Sequence, residues 1–439
     1  MNKPQIIVSF LFAVLLMSCS NNENIITEKE DDSLSQNSPN ILLIIADDMG
    51  LDATPGYNIG NVKPNMPTFQ GLMNSGIKFN NLWSYPVCTP TRGSILTGKY
   101  GFRTNVLNVD DVMPTSEISI QKHIDNNASG YNHAVIGKWH LSRDESHPTN
   151  MGINYYSGSL GGGVQSYWNW NLTENGQTNA SSEYTTTKFT DLAINWIDTQ
   201  TQPWFLWLAF NAPHTPFHLP PNDLHYQGNL PSDDASINAN PLPYYLAMIE
   251  AMDTEMGRLI NSMSEEEKAN TVIIFIGDNG TPNRVAQEYS SSRAKGTVYQ
   301  GGVNVPMIVS GKNVTRINDS ENALINTTDL FATIADITNT GTSEINDSKS
   351  FKGLLSNSSA DKRDYIYTEI GNDSGNSDYT IRNTTHKYIH FEDGTEALYD
   401  LSDNPLENPN LLEASQLPLS DDDNAIKEEL TNKVNQIRQ

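Results

Sequence analysis

Two things are scarce in this chain of 439 residues: cysteine, present twice, and basic residues, with 27 Lys and Arg against 52 Asp and Glu. Cys19 and Cys88 are too few for a disulfide-rich scaffold or a cysteine-based zinc site. The net charge of −25 argues against a nucleic-acid partner, which needs clustered Lys and Arg. It leaves room for an anionic small substrate, because a local basic pocket can sit in an acidic protein. After Met17 no apolar stretch is long enough for a transmembrane helix, and no internal repeat is visible.

The N-terminus is an address. Lys3 precedes an apolar run from Ile6 to Met17, too short to span a bilayer and typical of a signal peptide. Leu16-Met17-Ser18-Cys19 resembles a bacterial lipobox, whose cysteine is acylated. The expectation is a signal peptide over 1–18, then lipidated (palmitate-type) Cys19 opening a polar, acidic, disordered tether over 19–38. That arrangement exports the protein and anchors it to the cell envelope, on the periplasmic or surface side of the outer membrane.

The folded part starts at Pro39. Asn40 to Ala46 is a continuous, β-branched apolar run of the kind buried on both faces of a parallel sheet. Similar runs occur at Ala134–Ile136, Trp204–Phe210, Thr271–Ile276 and Pro306–Val309. Between them, Phe189, Leu192, Ala193, Trp196 and Ile197 recur at helical spacing, as do Tyr245, Met248, Ile249, Met252, Met256 and Leu259. Strands alternating with amphipathic helices predict an α/β fold with a mainly parallel central sheet flanked by helices. Residues 151–182, rich in Gly, Asn, Ser and aromatics, read as a long surface excursion. After residue 340 the texture changes. Tyr365–Thr368, Tyr379–Arg382 and Lys387–Phe391 read as short strands, Asp393-Gly394 as a hairpin turn, and Ile426, Leu430, Val434 and Ile437 as one helix face. The expected division is a catalytic domain over 39–340 and a small antiparallel α+β subdomain over 341–439.

In open α/β sheets ligands bind beyond the carboxyl ends of the strands. The apolar runs lead into Asp47-Asp48, Lys138-Trp139-His140, Asn211-Ala212-Pro213-His214 and Asp278-Asn279. Asp47, Asp48, Asp278 and Asn279 offer oxygen ligands, which suit Ca²⁺ or Mg²⁺ rather than zinc. Without a cation, three converging carboxylates would repel one another and be driven to protonate. Lys138, His140 and His214 are then free to bind an anion or move protons.

The segment from Cys88 to Gly98, CTPTRGSILTG, is the most specific feature of the chain. Pro90 suits a first helical turn. Arg92 follows Cys88 by four positions, so both side chains share a helix face, at an end that favours anions. Spacing alone leaves two readings: a buried cysteine beside a surface arginine, or a reactive thiolate at a helix N-terminus. The segment resembles the sulfatase signature C-x-P-x-R, in which the cysteine is oxidised to formylglycine. Further motifs appear in the family's order: Asn40–Asp48, Gly137-Lys138-Trp139-His140, Ala212–Phe217, Gly277–Gly280, Ala294–Gly302 and Asp393–Leu401. The resemblance covers about Pro39 to Leu412. It departs at Gln300, where the family usually has Glu, at Asn304, where Arg is common, and at Arg293, where Gly is usual.

The resemblance implies an alkaline-phosphatase-like fold and a formylglycine-dependent sulfatase, matured by a formylglycine-generating enzyme and acting on a sulfated saccharide. It implies Ca²⁺, with Mg²⁺ second, held by Asp47, Asp48, residue 88, Asp278 and Asn279. A gem-diol at position 88 attacks sulfur, then eliminates sulfate. Asp278 is the base for that attack, Arg92 and Lys138 orient residue 88, and His140 takes the proton during elimination. Lys138, Lys295 and His214 bind sulfate, and His214 protonates the leaving oxygen. His218 stands near this loop, either touching substrate or packing. Trp168 and Trp170 either stack on a sugar or anchor the excursion. His123, His133, His147 and His225 match no catalytic motif and read as surface or core histidines. Two other functions are consistent with the same residues. A phosphoester or phosphonate hydrolase of the superfamily is separated by relative rates on aryl phosphate and aryl sulfate. A non-catalytic glycan-binding lipoprotein would bind tightly and release no sulfate.

Overall fold

The opening apolar run forms β1 (Asn40–Ala46), buried at every position. In a computed structural model the described residues are 38–127, 130–371, 377–402 and 404–439. Cys19, the signal peptide and nearly all of the tether lie outside them.

The main sheet adds β2 (Gly76–Trp83), β3 (Asn132–Gly137), β4 (Tyr155–Gly158), β5 (Trp170–Glu174), β6 (Gln177–Ser181), β7 (Trp204–Ala209), β8 (Thr271–Gly277), β9 (Asn304–Gly311) and β10 (Asp319–Glu321). Their spatial order is β10-β2-β9-β8-β1-β7-β3-β4-β5-β6, and a short β11 (Ile325–Asn326) also pairs with β2. The central neighbours β8, β1, β7 and β3 run parallel, β9 and β5 run antiparallel to them, and β6 pairs antiparallel with β5. The expected mainly parallel α/β sheet is therefore present.

Side chains of β1 divide by strand periodicity. Ile41, Leu43 and Ile45 pack on one face of the sheet, and Leu42, Ile44 and Ala46 on the other. The second face is covered by α1 (Pro67–Asn74), α3 (Thr185–Ile197) and α4 (Leu242–Ser262), which carry the two predicted apolar stripes. The first is covered by α2 (Cys88–Thr97) and α5 (Asp329–Ile337). Burying each Leu or Ile contributes about 1.5–3 kcal/mol, so the strands' positions are strongly determined. Among the described residues no helix is long and apolar enough to cross a membrane.

Two regions differ from expectation. Residues 151–182 are not simply a surface excursion: β4 continues the parallel sheet, and β5 and β6 extend its edge as a hairpin. Their short runs of Thr, Asn and Tyr hide a strand whose outer face meets solvent. Strand β2 also went unread, because polar Lys78, Asn80 and Asn81 interrupt its apolar positions and a register shift falls between Phe79 and Leu82.

The last hundred residues form an antiparallel meander, β14 (Ile366–Gly371) to β15 (Ser377–Arg382), β16 (His386–His390) and β17 (Glu396–Asp400), after a small hairpin of β12 (Glu344–Ile345) and β13 (Ser348–Lys349). Leu430 and Val434 of α6 (Asp421–Ile437) pack on it. This is the predicted α+β texture. Phe351, Leu354 and Leu355, just before the meander, pack into the main core with Ile41.

Candidate active site

Parallel pairing of β8, β1, β7 and β3 brings their carboxyl ends to one edge, and the ladder continues into the loops. Asp47 N donates to Ala212 O at 3.0 Å, and Asp278 N to Ala46 O at 3.0 Å. Asp48 adopts a left-handed backbone (φ 72°), and its N–H donates to Asp278 Oδ1 at 3.0 Å. Asp48 O in turn accepts from Tyr245 Oη at 2.8 Å, across from α4. The Asp278-Asn279-Gly280 turn lies against Gly301: a Cβ on Gly280 would stand 1.8 Å from Gly301 O, so only glycine fits.

Cys88 is the first residue of α2 and is 2 % exposed. Thr91 fastens the entry, accepting from Tyr85 N at 3.0 Å and donating to Val87 O at 3.1 Å. Left-handed Gly98 ends the helix. Arg92 does share the face of Cys88, but it is fully buried rather than on the surface. Its guanidinium donates to Lys138 O and to Asp278 Oδ2, both at 2.8 Å. Lys138 Nζ lies 2.5 Å from Asp47 Oδ2 and 3.4 Å from Cys88 Sγ. Lys295 Nζ lies 2.5 Å from Asp48 Oδ1, and Asn279 Nδ2 donates to that oxygen at 2.8 Å. His214 Nε2 stands 3.8 Å from Asp48 Oδ2.

The structure thus brings together Asp47, Asp48, Cys88, Arg92, Lys138, His214, Asp278, Asn279 and Lys295. Ligand atoms of Asp47, Asp48 and Cys88 all lie within 4.8 Å of one another. Among the described residues, Asp47 Oδ1 and Asn279 Oδ1 are buried without a hydrogen-bond partner. Buried orphan acceptors are costly, and two oxygens of this kind beside Asp48 and Asp278 fit a hard divalent cation. Three carboxylates here face three cations, so one added divalent ion leaves the pocket positive and attractive to an anion.

Burial raises the acid Asp278, and Asp47 beside it adds to the effect, carrying its carboxyl to about 7. Burial opposes ionisation of Asp48, but Lys295, then His214 and Lys138, hold it well below the carboxylate range. Burial pushes the Cys88 thiol up to about 11 against the pull of Lys138. Burial at this position thus disfavours the thiolate.

His140 also has a left-handed backbone (φ 55°) and is buried. Burial, then Lys138 and Arg92, keep its imidazole neutral far below the usual range. Its Nε2 lies 3.1 Å from Asp110 Oδ1, and Asp110 also receives Arg143 at 3.2 Å. Asp110 accepting at Nε2 sets the tautomer and leaves the lone pair on Nδ1, which has no hydrogen-bond partner among the described residues. Sequence reading missed Asp110: it sits in an unpatterned loop, and its positive φ of 64° leaves no mark in the sequence. It also missed Tyr167, whose hydroxyl lies 2.7 Å from both Asn211 O and His214 O and pins the His214 loop.

His218 packs within the aromatic cluster: Nε2 meets Tyr184 Oη and Nδ1 meets Pro216 O, each at 3.0 Å, and its ring lies 4.1 Å from that of Tyr167. Trp170 is buried, its Nε1 donating to Glu183 O, whereas Trp168 is exposed over Tyr184. His123, His133 and His147 are held by Thr340 O, Asp125 and Trp139 respectively, and buried His225 accepts from Gln227 N. Gln300 is structural: its Oε1 accepts from Trp83 Nε1 at 2.9 Å, and its N–H donates to Glu407 at 2.9 Å. Asn304 donates to Asn80 O, and Arg293 donates to Glu407 O and lies over Tyr299.

A family profile described as sulfatase matches residues 39–340, and one described as N-sulphoglucosamine sulphohydrolase, C-terminal, matches 293–439. The chain is 24% identical over 457 residues to a sulfatase of Formosa agariphila, covering 90% of this chain and 86% of that one. It is 27% identical over 365 residues to the uncharacterized sulfatase YdeN of Escherichia coli, covering 69% of this chain but 63% of the relative, so it spans less than two-thirds of that protein. Its fold is that of BT4656, solved in complex with its substrate D-glucosamine-2-N,6-O-disulfate. The TM-score is 0.74 at 20% identity, over 91% of this chain and 98% of the other.

Proposed function

The chain belongs to the sulfatase family, and we propose that it hydrolyses sulfate esters on a sulfated saccharide. One observation carries this reading: Cys88, at the mouth of α2, is surrounded by the oxygen ligands Asp47, Asp48, Asp278 and Asn279 and the cations Arg92, Lys138 and Lys295. The names of its relatives support it, as does the sulfated amino sugar bound by a protein of the same fold.

Formylglycine made from Cys88 by a maturation enzyme would supply a hydrated aldehyde as nucleophile. Asp47, Asp48, Asp278, Asn279 and residue 88 would hold the cation, Ca²⁺ before Mg²⁺, which supplies charge for the sulfate oxygens. Arg92 and Lys138 orient residue 88. Lys295 and His214, on the open side of Asp48, bind sulfate oxygens, and His214 delivers a proton to the leaving alcohol. Asp278 accepts a proton at its carboxylate as the nucleophile attacks. Neutral His140 accepts one at Nδ1 when sulfate departs. The same proposal has residues 1–18 removed on export and Cys19 carrying lipid, with the tether 19–38 holding the catalytic domain (39–340) and the C-terminal subdomain (341–439) off the membrane.

Mass spectrometry of the peptide spanning residue 88, from a host with maturation machinery, tests the chemistry. Formylglycine together with sulfate release from sulfated oligosaccharides is the expected result. An intact thiol in fully active protein overturns it, and faster release of phosphate than of sulfate from aryl esters would favour the phosphoesterase. Metabolic labelling with a palmitate analogue, lost in Cys19→Ala, tests the anchor.

A further inference from the structure

The geometry points to a second saccharide subsite next to the catalytic pocket, along the glycine arc Gly161–Gly163. This inference rests on the proposed sulfatase activity and extends it to the neighbouring sugar of the substrate. After β4 the chain turns through Ser159-Leu160-Gly161-Gly162-Gly163. Trp139 N donates to Ser159 O at 2.9 Å and His140 N to Leu160 O at 3.1 Å, so the arc is tied to the catalytic loop. One side of the arc lies against the two catalytic imidazoles: a Cβ on Gly162 would stand 2.3 Å from His140 Nε2, and one on Gly163 3.1 Å from His214 Cε1.

Gly161 and Gly163 also line an open cleft of about 360 Å³, at the small end of the roughly 300–1,000 Å³ of ligand pockets. Its remaining walls present Arg143, Glu145, Gln165, Asn169, Asn171 and Thr178. Amides and hydroxyls pair with the alternating donors and acceptors of sugar hydroxyls. Among the described residues, no protein group bonds the side-chain amides of Gln165, Asn169 and Asn171. Arg143 is 72 % exposed along its side chain, and one of its nitrogens is anchored by Asp110, the partner of His140. The rest of its fork is open to an acidic substituent on the neighbouring sugar. The edge hairpin β5–β6 thus builds one wall of a site whose other side is catalytic. A sulfate ester seated at Lys295 and His214 would carry its next sugar over this arc, where a side chain on Gly162 would run into His140.

Two readouts test this. The first is sulfate release, as kcat/KM, from a sulfated galactan, a sulfated uronan and a sulfated glucosamine polymer, each as monosaccharide and hexasaccharide, with 4-nitrophenyl sulfate as the reference. For the best class, the hexasaccharide should exceed its monosaccharide at least about tenfold. In Asn169→Ala/Asn171→Ala and in Arg143→Ala the ratio of hexasaccharide to aryl sulfate kcat/KM should fall about tenfold, mainly through KM. Ratios equal to wild type in both variants overturn the subsite. The second is calorimetric binding of the three hexasaccharides to Cys88→Ala protein, which reads the cleft without turnover. Weaker binding in the Asn169→Ala/Asn171→Ala background supports the subsite, and equal binding, or no binding by any class, overturns it. Binding of this kind with no sulfate release by matured wild-type protein would overturn the sulfatase reading alone.

Discussion

Two lysine–carboxylate pairs are completely buried among the described residues, and they are built in opposite ways. Lys138 and Asp47 meet at 2.5 Å at the strand ends, and Lys387 and Glu407 meet at 2.6 Å between the meander and the main body. The second pair is closed. Lys387 Nζ also donates to Val298 O at 2.7 Å and lies 4.8 Å from the centre of the Trp83 ring, while the other Glu407 oxygen accepts from Gln300 N. The first pair is open: among the described residues Asp47 Oδ1, the adjoining Arg92 Nε and Asn279 Oδ1 have no hydrogen-bond partner. A buried polar group left unsatisfied costs about 1–3 kcal/mol. A fold that tolerates several of them in one place keeps valences for something it binds, whereas a pair with every valence filled holds two parts of the chain together. The same contrast recurs in the histidines: among the described residues His140 Nδ1 has no hydrogen-bond partner, and both nitrogens of His218 are bonded.

The largest effect that would sharpen the comparison is at residue 88. Cys88→Ala should reduce sulfate release more than about 10³-fold, beyond the loss of one electrostatic partner, with the thermal midpoint close to wild type. Comparable activity would break the assignment of the open cluster to catalysis. Lys295→Met and His140→Asn, measured separately as kcat/KM on an aryl sulfate, should each cost about 10²–10³-fold with an intact circular-dichroism spectrum. On the closed side the expected cost is in stability. Glu407→Ala leaves a buried ammonium, so urea unfolding should show about 3–5 kcal/mol of destabilisation, with kcat of the folded fraction within a few-fold of wild type. Lys387→Met/Glu407→Leu should recover most of that stability.

The smallest effect concerns His218. Burial lowers its imidazole to about 4 from the ordinary 6.5. The unfolded chain therefore binds this proton at a higher pH than the fold does, so its contribution is full above about 6.5 and is lost as pH falls through about 4. The thermal midpoint should decline over that window, and the decline should be shallower in His218→Gln. An equal slope in the variant would show that other groups carry it.

The chain's legibility follows the same division. The four central strands could be read because each is a continuous apolar run, and the residues just past each run are polar by necessity, since the sheet ends there. The Cys88 helix was readable from Pro90 and the Cys-to-Arg spacing. By contrast, Asp110 was invisible, because an aspartate in a loop of Asn and Asp carries no periodicity, and its meeting with His140 spans 30 positions of chain. The hairpin β5–β6 reads as a surface excursion because its apolar face is only Trp170 and Leu172, and β6 is polar but for Ala180. Gln300, noted only as a departure, proved to bridge Trp83 and Glu407, residues 217 and 107 positions away from it.

By itself, the sequence determined which residues stand at the ends of the parallel strands and which residue opens the helix beside them. Apolar runs and capping preferences are local, and parallel pairing brings the ends of such strands to one edge. Only the tertiary structure decided which charges are closed and which are open, how Asp110 reaches His140, and where the glycine arc lies. Those depend on distances between segments far apart in the chain, which packing of the two sheet faces sets and no local pattern records.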